Sequence, residues 1–281
     1  MKEKIALLVD SMCDLPREII KHFGIKVIAA KIIYPDREYS DRVDIEPVDV
    51  YQRMPAEIPT TAMPPLSEIK ETFEKIYQEG YTHVIALHIS GELSGTAQAV
   101  KMVAQNFKNL TIEVIDTKTL SMGTGWIILD AARNIANGLS FEKVINNIQR
   151  IMPQIEVYYI LETLEYLRRG GRIGRVASML GEFLHLKPII SVDRLGKYFV
   201  YCKSRGRNKS IEKLVEIVEN AVKEKHINLA VMHGGAAKEL EKLVERLRKL
   251  PNIKELIYSD ISPALGVHTG PGLLGISFYE V

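Results

Sequence analysis

The chain has only two cysteines, Cys13 and Cys202, and no C-x-x-C pair. That excludes a disulfide framework and offers no metal-ligand spacing, and it suits a reducing compartment, so a cytoplasmic location is expected. Neither charge is in excess: 37 Lys and Arg stand against 35 Asp and Glu, a net +2. Binding to nucleic acid needs a strong basic footprint, so nucleic acid is not an expected partner. No apolar run approaches the roughly 20 residues of a membrane span, and the apolar part of Met1–Asp10 is too short for a secretion signal. Stable membrane insertion is therefore not expected. Internal repeats, low-complexity tracts and Pro/Gly/Ser linkers are also missing, which implies closely packed units.

What remains is an ordinary globular composition, 46% hydrophobic and 26% charged over 281 residues. That length favours two modest domains over one core. Ile5–Val9, Val84–Leu87 and Leu229–Met232 are continuous apolar runs and Ile112–Ile115 is one interrupted by Glu113, the pattern of strands buried on both faces of a parallel sheet. Helical faces lie between them: Ile69, Phe73, Ile76 and Tyr77; Ile211, Leu214, Val215, Val218 and Val222; Leu240, Leu243, Val244 and Leu247. The alternation makes the class α/β. From Gly170 to Lys203 the pattern changes to a glycine-rich turn, a short helix-like stretch through Leu184, and a hairpin of Pro188–Ser191 and Lys197–Cys202 around Asp193–Gly196. A second domain is expected to begin near Gln154.

The apolar runs end in small polar residues, Asp10-Ser11, Ser90-Gly91, Asp116-Thr117 and His233-Gly234-Gly235. In open α/β sheets ligands bind at such strand ends. Ser90-Gly-Glu-Leu-Ser94-Gly95-Thr96 leads from a strand into a helix, where free N–H groups favour an anion, although Ser94 can equally be a plain helix cap. Pro59-Thr60-Thr61-Ala62-Met63-Pro64-Pro65 reads as a polar loop opening a helix, with the prolines suited to its first turn and two hydroxyls to offer. Asp116-Thr-Lys-Thr-Leu-Ser121-Met-Gly123-Thr-Gly125 has neither Walker nor G-x-G-x-x-G spacing, which argues against nucleotide binding. His268 precedes a rigid Gly270-Pro271-Gly272 turn that would fix where its ring points. Two basic loops, Arg168 to Arg175 and Lys203 to Lys209, are either solvated surface or clasps for an acidic group or partner.

Several of these stretches, in this order, resemble the DegV family of fatty-acid-binding proteins, which includes the binding subunits of bacterial fatty-acid kinases. The signposts are Asp10-Ser11 with Asp14-Leu15, Pro59-Thr60-Thr61, Leu93-Ser94-Gly95-Thr96, Asp116 to Gly123, Leu164-Glu-Tyr-Leu-Arg-Arg-Gly-Gly-Arg-Ile173 and Gly270-Pro-Gly272. The resemblance implies two α/β domains. An N-terminal three-layer α/β/α domain with a parallel sheet would span residues 1–153, and a two-layer domain with a mixed sheet residues 154–281. It also implies an acyl chain in a buried tunnel and a carboxylate held by Thr61, Ser94 and the Gly95 amide near His268. Thr60 and Arg172 are secondary candidates, and Arg205 and Arg207 are candidate docking residues. One departure stands out: the family pattern continues Ser-Gln-Pro-Ser after the threonines, whereas here the chain reads Ala62-Met63-Pro64-Pro65.

The expected function is that of a carrier without catalytic activity, cofactor or metal. It would hold a long-chain fatty acid such as palmitate and present the carboxylate to a separate ATP-dependent kinase that forms an acyl-phosphate. The alternatives are a serine hydrolase using Ser94, which lacks the G-x-S-x-G elbow, and a regulatory or scaffold protein containing lipid.

Overall fold

The computed structural model describes residues 3–179, 181 and 186–281. In chain order its strands are β1 (Ile5–Asp10), β2 (Lys26–Ile28), β3 (Lys31–Ile33), β4 (Glu38–Ser40), β5 (Thr60–Ala62), β6 (His83–His88), β7 (Thr111–Asp116), β8 (Glu156–Ile160), β9 (Ile189–Val192), β10 (Tyr198–Cys202), β11 (Ile227–Gly234), β12 (Ile253–Asp260) and β13 (Leu273–Glu280). The helices are α1 (Arg17–His22), α2 (Pro47–Arg53), α3 (Leu66–Gln78), α4 (Thr96–Ala104), α5 (Met122–Ala136), α6 (Phe141–Ile151), α7 (Glu165–Arg169), α8 (Arg207–Glu224), α9 (Ala237–Leu247) and α10 (Pro263–Thr269).

The N-terminal domain is built on a parallel sheet ordered β2-β1-β6-β7. Alternate residues of β1 face opposite ways, as the pleat requires. Ala6 and Leu8 pack with Ile69, Phe73 and Ile76 of α3 and Val100 and Val103 of α4. Leu7 and Val9 pack with Trp126 and Leu129 of α5 and Val144 and Ile148 of α6. Both faces are thus covered, which is why the strands read as unbroken apolar runs and why the domain has three layers. Tyr77 does not join the buried face of α3. It is 49% exposed, because the stripe that meets the sheet runs along Ile69, Phe73 and Ile76.

The C-terminal domain is built on a mixed six-stranded sheet ordered β10-β9-β8-β13-β11-β12, in which only β11 and β12 are parallel. One face is covered by α8 and α9, through Leu214, Val218, Leu240 and Leu243 against Val231, Leu274 and Ile276. The other face turns Tyr159, Met232 and Tyr279 into the same core as Trp126. The Trp126 indole N–H donates to the Ser277 carbonyl at 3.2 Å, so α5 lies between the two sheets and belongs to the packing of both. The hairpin around Asp193–Gly196 forms as expected, its first strand displaced by one residue. The expected helix-like stretch ends at Leu184, outside the described residues.

A third sheet, β4-β3-β5, escapes the sequence patterns. Its strands are three residues each, too short to show a period. Thr60 and Thr61 therefore lie on a strand, not in the expected loop, and Thr61 pairs with Ile32. Pro64 and Pro65 stand just before α3, with Pro65 at its cap, rather than in its first turn.

Candidate functional site

Four separate elements bring polar groups to one place. β5 presents Thr61, fixed by pairing with the fully buried Ile32. The loop after β6 folds back when the amides of Leu93 and Ser94 both donate to the Ser90 carbonyl, at 2.9 and 3.0 Å, which sets Ser94 just ahead of α4. There the Ser94 hydroxyl accepts the Thr96 amide at 3.3 Å and shares a 2.9 Å hydrogen bond with the Thr96 hydroxyl. It is thus in part the helix-start serine that its position suggests, although the cap residue itself is Gly95. α10 supplies His268, and the loop after α7 supplies Arg172.

These residues line a cavity of about 230 Å³ that includes Thr61, Ser94, Gly95, Arg172, Tyr198 and His268. Within it, Thr61 Oγ1 lies 2.7 Å from His268 Nε2. Burial, reinforced by the positive Arg172 nearby, lowers the His268 pKa to about 4, so the ring is neutral at physiological pH. Arg172 is held by two carbonyls, with Nε donating to Leu93 at 3.1 Å and Nη1 to Gly170 at 2.7 Å.

The other candidates lie elsewhere. Thr60 is exposed and does not line the cavity. Arg205 is exposed on the surface, whereas Arg207 is engaged by Glu239 through two hydrogen bonds of 3.1 and 2.7 Å. In the first basic loop Arg168 and Arg169 pair with Glu165, and Arg175 pairs with Asp193.

Against the polar cavity lies an apolar slit that shares Tyr198 and Leu265 with it and is otherwise walled by residues such as Leu120, Tyr159, Leu161, Ile190 and Leu273. The slit encloses only about 10 Å³. That is about the smallest free volume that admits one water molecule. Its walls come from both domains, Leu120 and Ser121 on one side and Tyr159, Ile190 and Leu273 on the other.

What fixes α10 was invisible in the sequence. Asp14 accepts the Ser262 amide at 2.8 Å and the Ser121 hydroxyl, and meets Arg42 at 3.4 Å. Asp41 accepts the Ala264 amide at 3.3 Å and the Ser11 hydroxyl. The two buried carboxyls therefore satisfy amides at the start of the helix that carries His268. Burial raises Asp14 to about 6 and Asp41 to about 7 despite these donors. At the other side of the cleft, Ser90 Oγ donates to the Gly196 carbonyl at 2.9 Å and Lys197 faces Glu92 at 3.4 Å, tying the β9–β10 hairpin to the N-terminal domain.

Chemically, hydroxyl and amide donors, a neutral histidine and one arginine surround a polar space that abuts an apolar one. Such a site can satisfy an anionic head group without a direct lysine clamp. Ser94 and His268 are not hydrogen-bonded to each other, since His268 Nε2 meets Thr61 and the hydrogen bonds of Ser94 go to Thr96. Among the described residues no cluster of His, Cys, Asp and Glu is disposed to hold a metal, and no helix is long and apolar enough to cross a membrane.

Comparison with known proteins gives matches over nearly the whole chain. Residues 4–281 match a family model described as "Uncharacterised protein, DegV family". A DegV domain-containing protein of Clostridium acetobutylicum is 42% identical over 278 residues, covering 99% of each chain. Among solved structures, a fatty-acid-binding DegV family protein from Thermus thermophilus superposes with a TM-score of 0.93 at 28% identity, covering 99% of this chain and 100% of that one. DegV of Bacillus subtilis, a fatty acid binding protein, gives 0.92 at 26% identity with the same coverage. With its fold and its sequence both matched over 99% of its length, the chain belongs to the DegV family.

Proposed function

We propose that this protein binds a long-chain fatty acid, with the carboxylate in the polar cavity and the acyl chain in a widened form of the apolar slit. The observation that carries the reading is the convergence of Thr61, Ser94, Gly95 and His268 on one cavity that shares Tyr198 and Leu265 with an apolar slit. Fatty-acid binding by relatives of the same fold supports it. The hydroxyls of Thr61 and Ser94 and the Gly95 amide donate to the carboxylate, and Arg172 lends positive charge from the rim.

Affinity comes from the tail. Burying roughly 14 methylenes at about 0.8 kcal/mol each gives on the order of 11 kcal/mol before the costs of association and of opening the slit. The head-group donors need only replace the water that the carboxylate loses. A carboxylate held this lightly remains available to chemistry. The protein therefore acts as a cytoplasmic carrier without catalytic activity that presents palmitate or a similar acid to a separate ATP-dependent kinase. On this reading residues 1–153 supply the hydroxyl donors and residues 154–281 supply His268 and most of the slit. Arg205 is the stronger candidate for docking the kinase, since Arg207 is already engaged by Glu239.

The test is mass spectrometry of lipid extracted from the purified, unsupplemented protein and from a Thr61→Ala, Ser94→Ala double variant. A stoichiometric C14 to C18 fatty acid that is depleted in the variant is the expected result. Absence of acyl species from both proteins, together with no binding of added palmitate, overturns the reading.

A further inference from the structure

The ring of His268 is left one hydrogen-bonding choice by what surrounds it. Nε2 lies 2.7 Å from the Thr61 hydroxyl. Nδ1 is buried and meets no hydrogen-bond partner. The backbone pressed against it is that of Gly170, where a β-carbon would stand 2.0 Å from Nδ1 and 2.7 Å from Cε1. Gly170 cannot easily withdraw. Its amide donates to the Tyr166 carbonyl at 2.9 Å, and its own carbonyl accepts Arg172, whose other hydrogen bond reaches Leu93, next to Ser94.

A neutral imidazole carries one proton, on one nitrogen or the other. With the proton on Nδ1, a buried N–H would face no acceptor, and Thr61 would have to donate its only proton to the bare Nε2. The hydroxyl would then show the cavity lone pairs alone, the wrong polarity for a carboxylate. With the proton on Nε2, the ring donates to Thr61 and the Thr61 proton is released to point at the ligand. A buried orphan donor is the costlier arrangement, so the second tautomer is favoured.

We propose that Gly170 is a positioning residue: by closing over Nδ1 of His268 it holds the ring proton on Nε2 and so makes the Thr61 hydroxyl an obligatory donor toward the carboxylate. This rests on the reading of the cavity as a carboxylate site, but the two can fail separately. The signal that could have drawn attention to it lies in the sequence as Arg169-Gly170-Gly171-Arg172; what the glycine faces does not.

The first experiment is nitrogen-15 NMR of lipid-free wild-type protein labelled at histidine, with the His268 signals assigned by their loss in His268→Gln. A protonated, pyrrole-type Nε2 and a bare, pyridine-type Nδ1 are expected, and the reverse pattern overturns the proposal. The second compares Gly170→Ala with Gly171→Ala, whose β-carbon meets nothing within 4 Å, so that its φ of +70° costs stability without pressing on His268. Calorimetric titration with palmitate should show an affinity loss of about tenfold or more in Gly170→Ala, the ratio expected for a lost hydrogen bond to a charged group. Gly171→Ala should stay near wild type, and the His268 signals should move only in Gly170→Ala. Equal affinities with unmoved signals overturn the proposal. If Gly170→Ala does not fold, the wild-type spectrum alone decides. If that spectrum is as expected and wild type binds no palmitate, the carboxylate reading falls and the tautomer stands.

Discussion

Asp14 accepts the backbone amide of Ser262, 248 residues further along the chain, at 2.8 Å. A carboxyl in the turn that follows the first strand thereby sets the start of α10, and α10 carries His268 into the cavity. Removing that carboxyl by Asp14→Ala leaves the Ser262 amide and the Ser121 hydroxyl without their acceptor and Arg42 without its carboxyl partner. We expect a loss of about 3 kcal/mol, the scale of breaking one side of a buried pair, read as a lower urea midpoint. Palmitate affinity should fall with it. Asp14→Asn keeps an acceptor for Ser262 and should lose less.

Stability should respond to pH in two opposing ways. Asp14 and Asp41 have folded-state values of about 6 and about 7, above the ordinary 3.8. The folded state then holds protons that the unfolded chain has released, so their contribution is complete below about pH 4 and is lost as pH rises through 6 to 7. His268 is lowered from 6.5 to about 4, so its contribution is present above 6.5 and is lost as pH falls toward 4. That span is worth roughly 3 kcal/mol. Denaturation of wild type and His268→Gln between pH 4 and 8 should give curves whose difference shrinks as the solution is acidified. A constant difference would mean that His268 titrates normally.

Parallel strands and their covering helices were readable because burial on both faces leaves an unbroken apolar run, as in Val84–Leu87, and a three-to-four-residue stripe, as in Leu240, Leu243, Val244 and Leu247. The resemblance named Thr61, Ser94, Gly95 and His268, and the fold brings all four to one cavity. Other features had no local signal. The strand that holds Thr61 is three residues long and owes its existence to Ile32. The pairing of Asp41 with Ala264 spans 223 residues. Tyr198 looks like one more alternating strand residue until the fold sets it between the cavity and the slit.

The tail reading makes a graded prediction. In a titration series of saturated acids from C8 to C16, each added methylene should improve the dissociation constant about fourfold, the equivalent of roughly 0.8 kcal/mol. A series that shows no gain with length would mean that the slit is not where the chain goes.

The hairpin latch can be tested at its tip. Gly196 has φ +87°, and a β-carbon there would stand 2.0 Å from Ser90 Oγ. Gly196→Ala should cost at least the 1 to 2 kcal/mol of a left-handed backbone and should speed the release of a fluorescent fatty acid in stopped-flow chase. Ser90→Ala removes the hydrogen bond to Gly196 and the acceptor of the Glu92 amide without straining the backbone, and should have a smaller effect in the same direction, about 1 kcal/mol. Unchanged release in both would mean that the hairpin does not control the exit.

The place of β13 in its sheet has a consequence for how the protein is made. β13 lies between β8 and β11, and both of those emerge from the ribosome before it. The parallel sheet needs only strands that end at Asp116, so the first domain can consolidate while synthesis continues. The second sheet must wait with a gap at its centre. His268 stands just before β13 in the chain, so it and the strand that fills the gap arrive together. A chain not yet extended through β13 therefore has no finished site in which to trap a lipid.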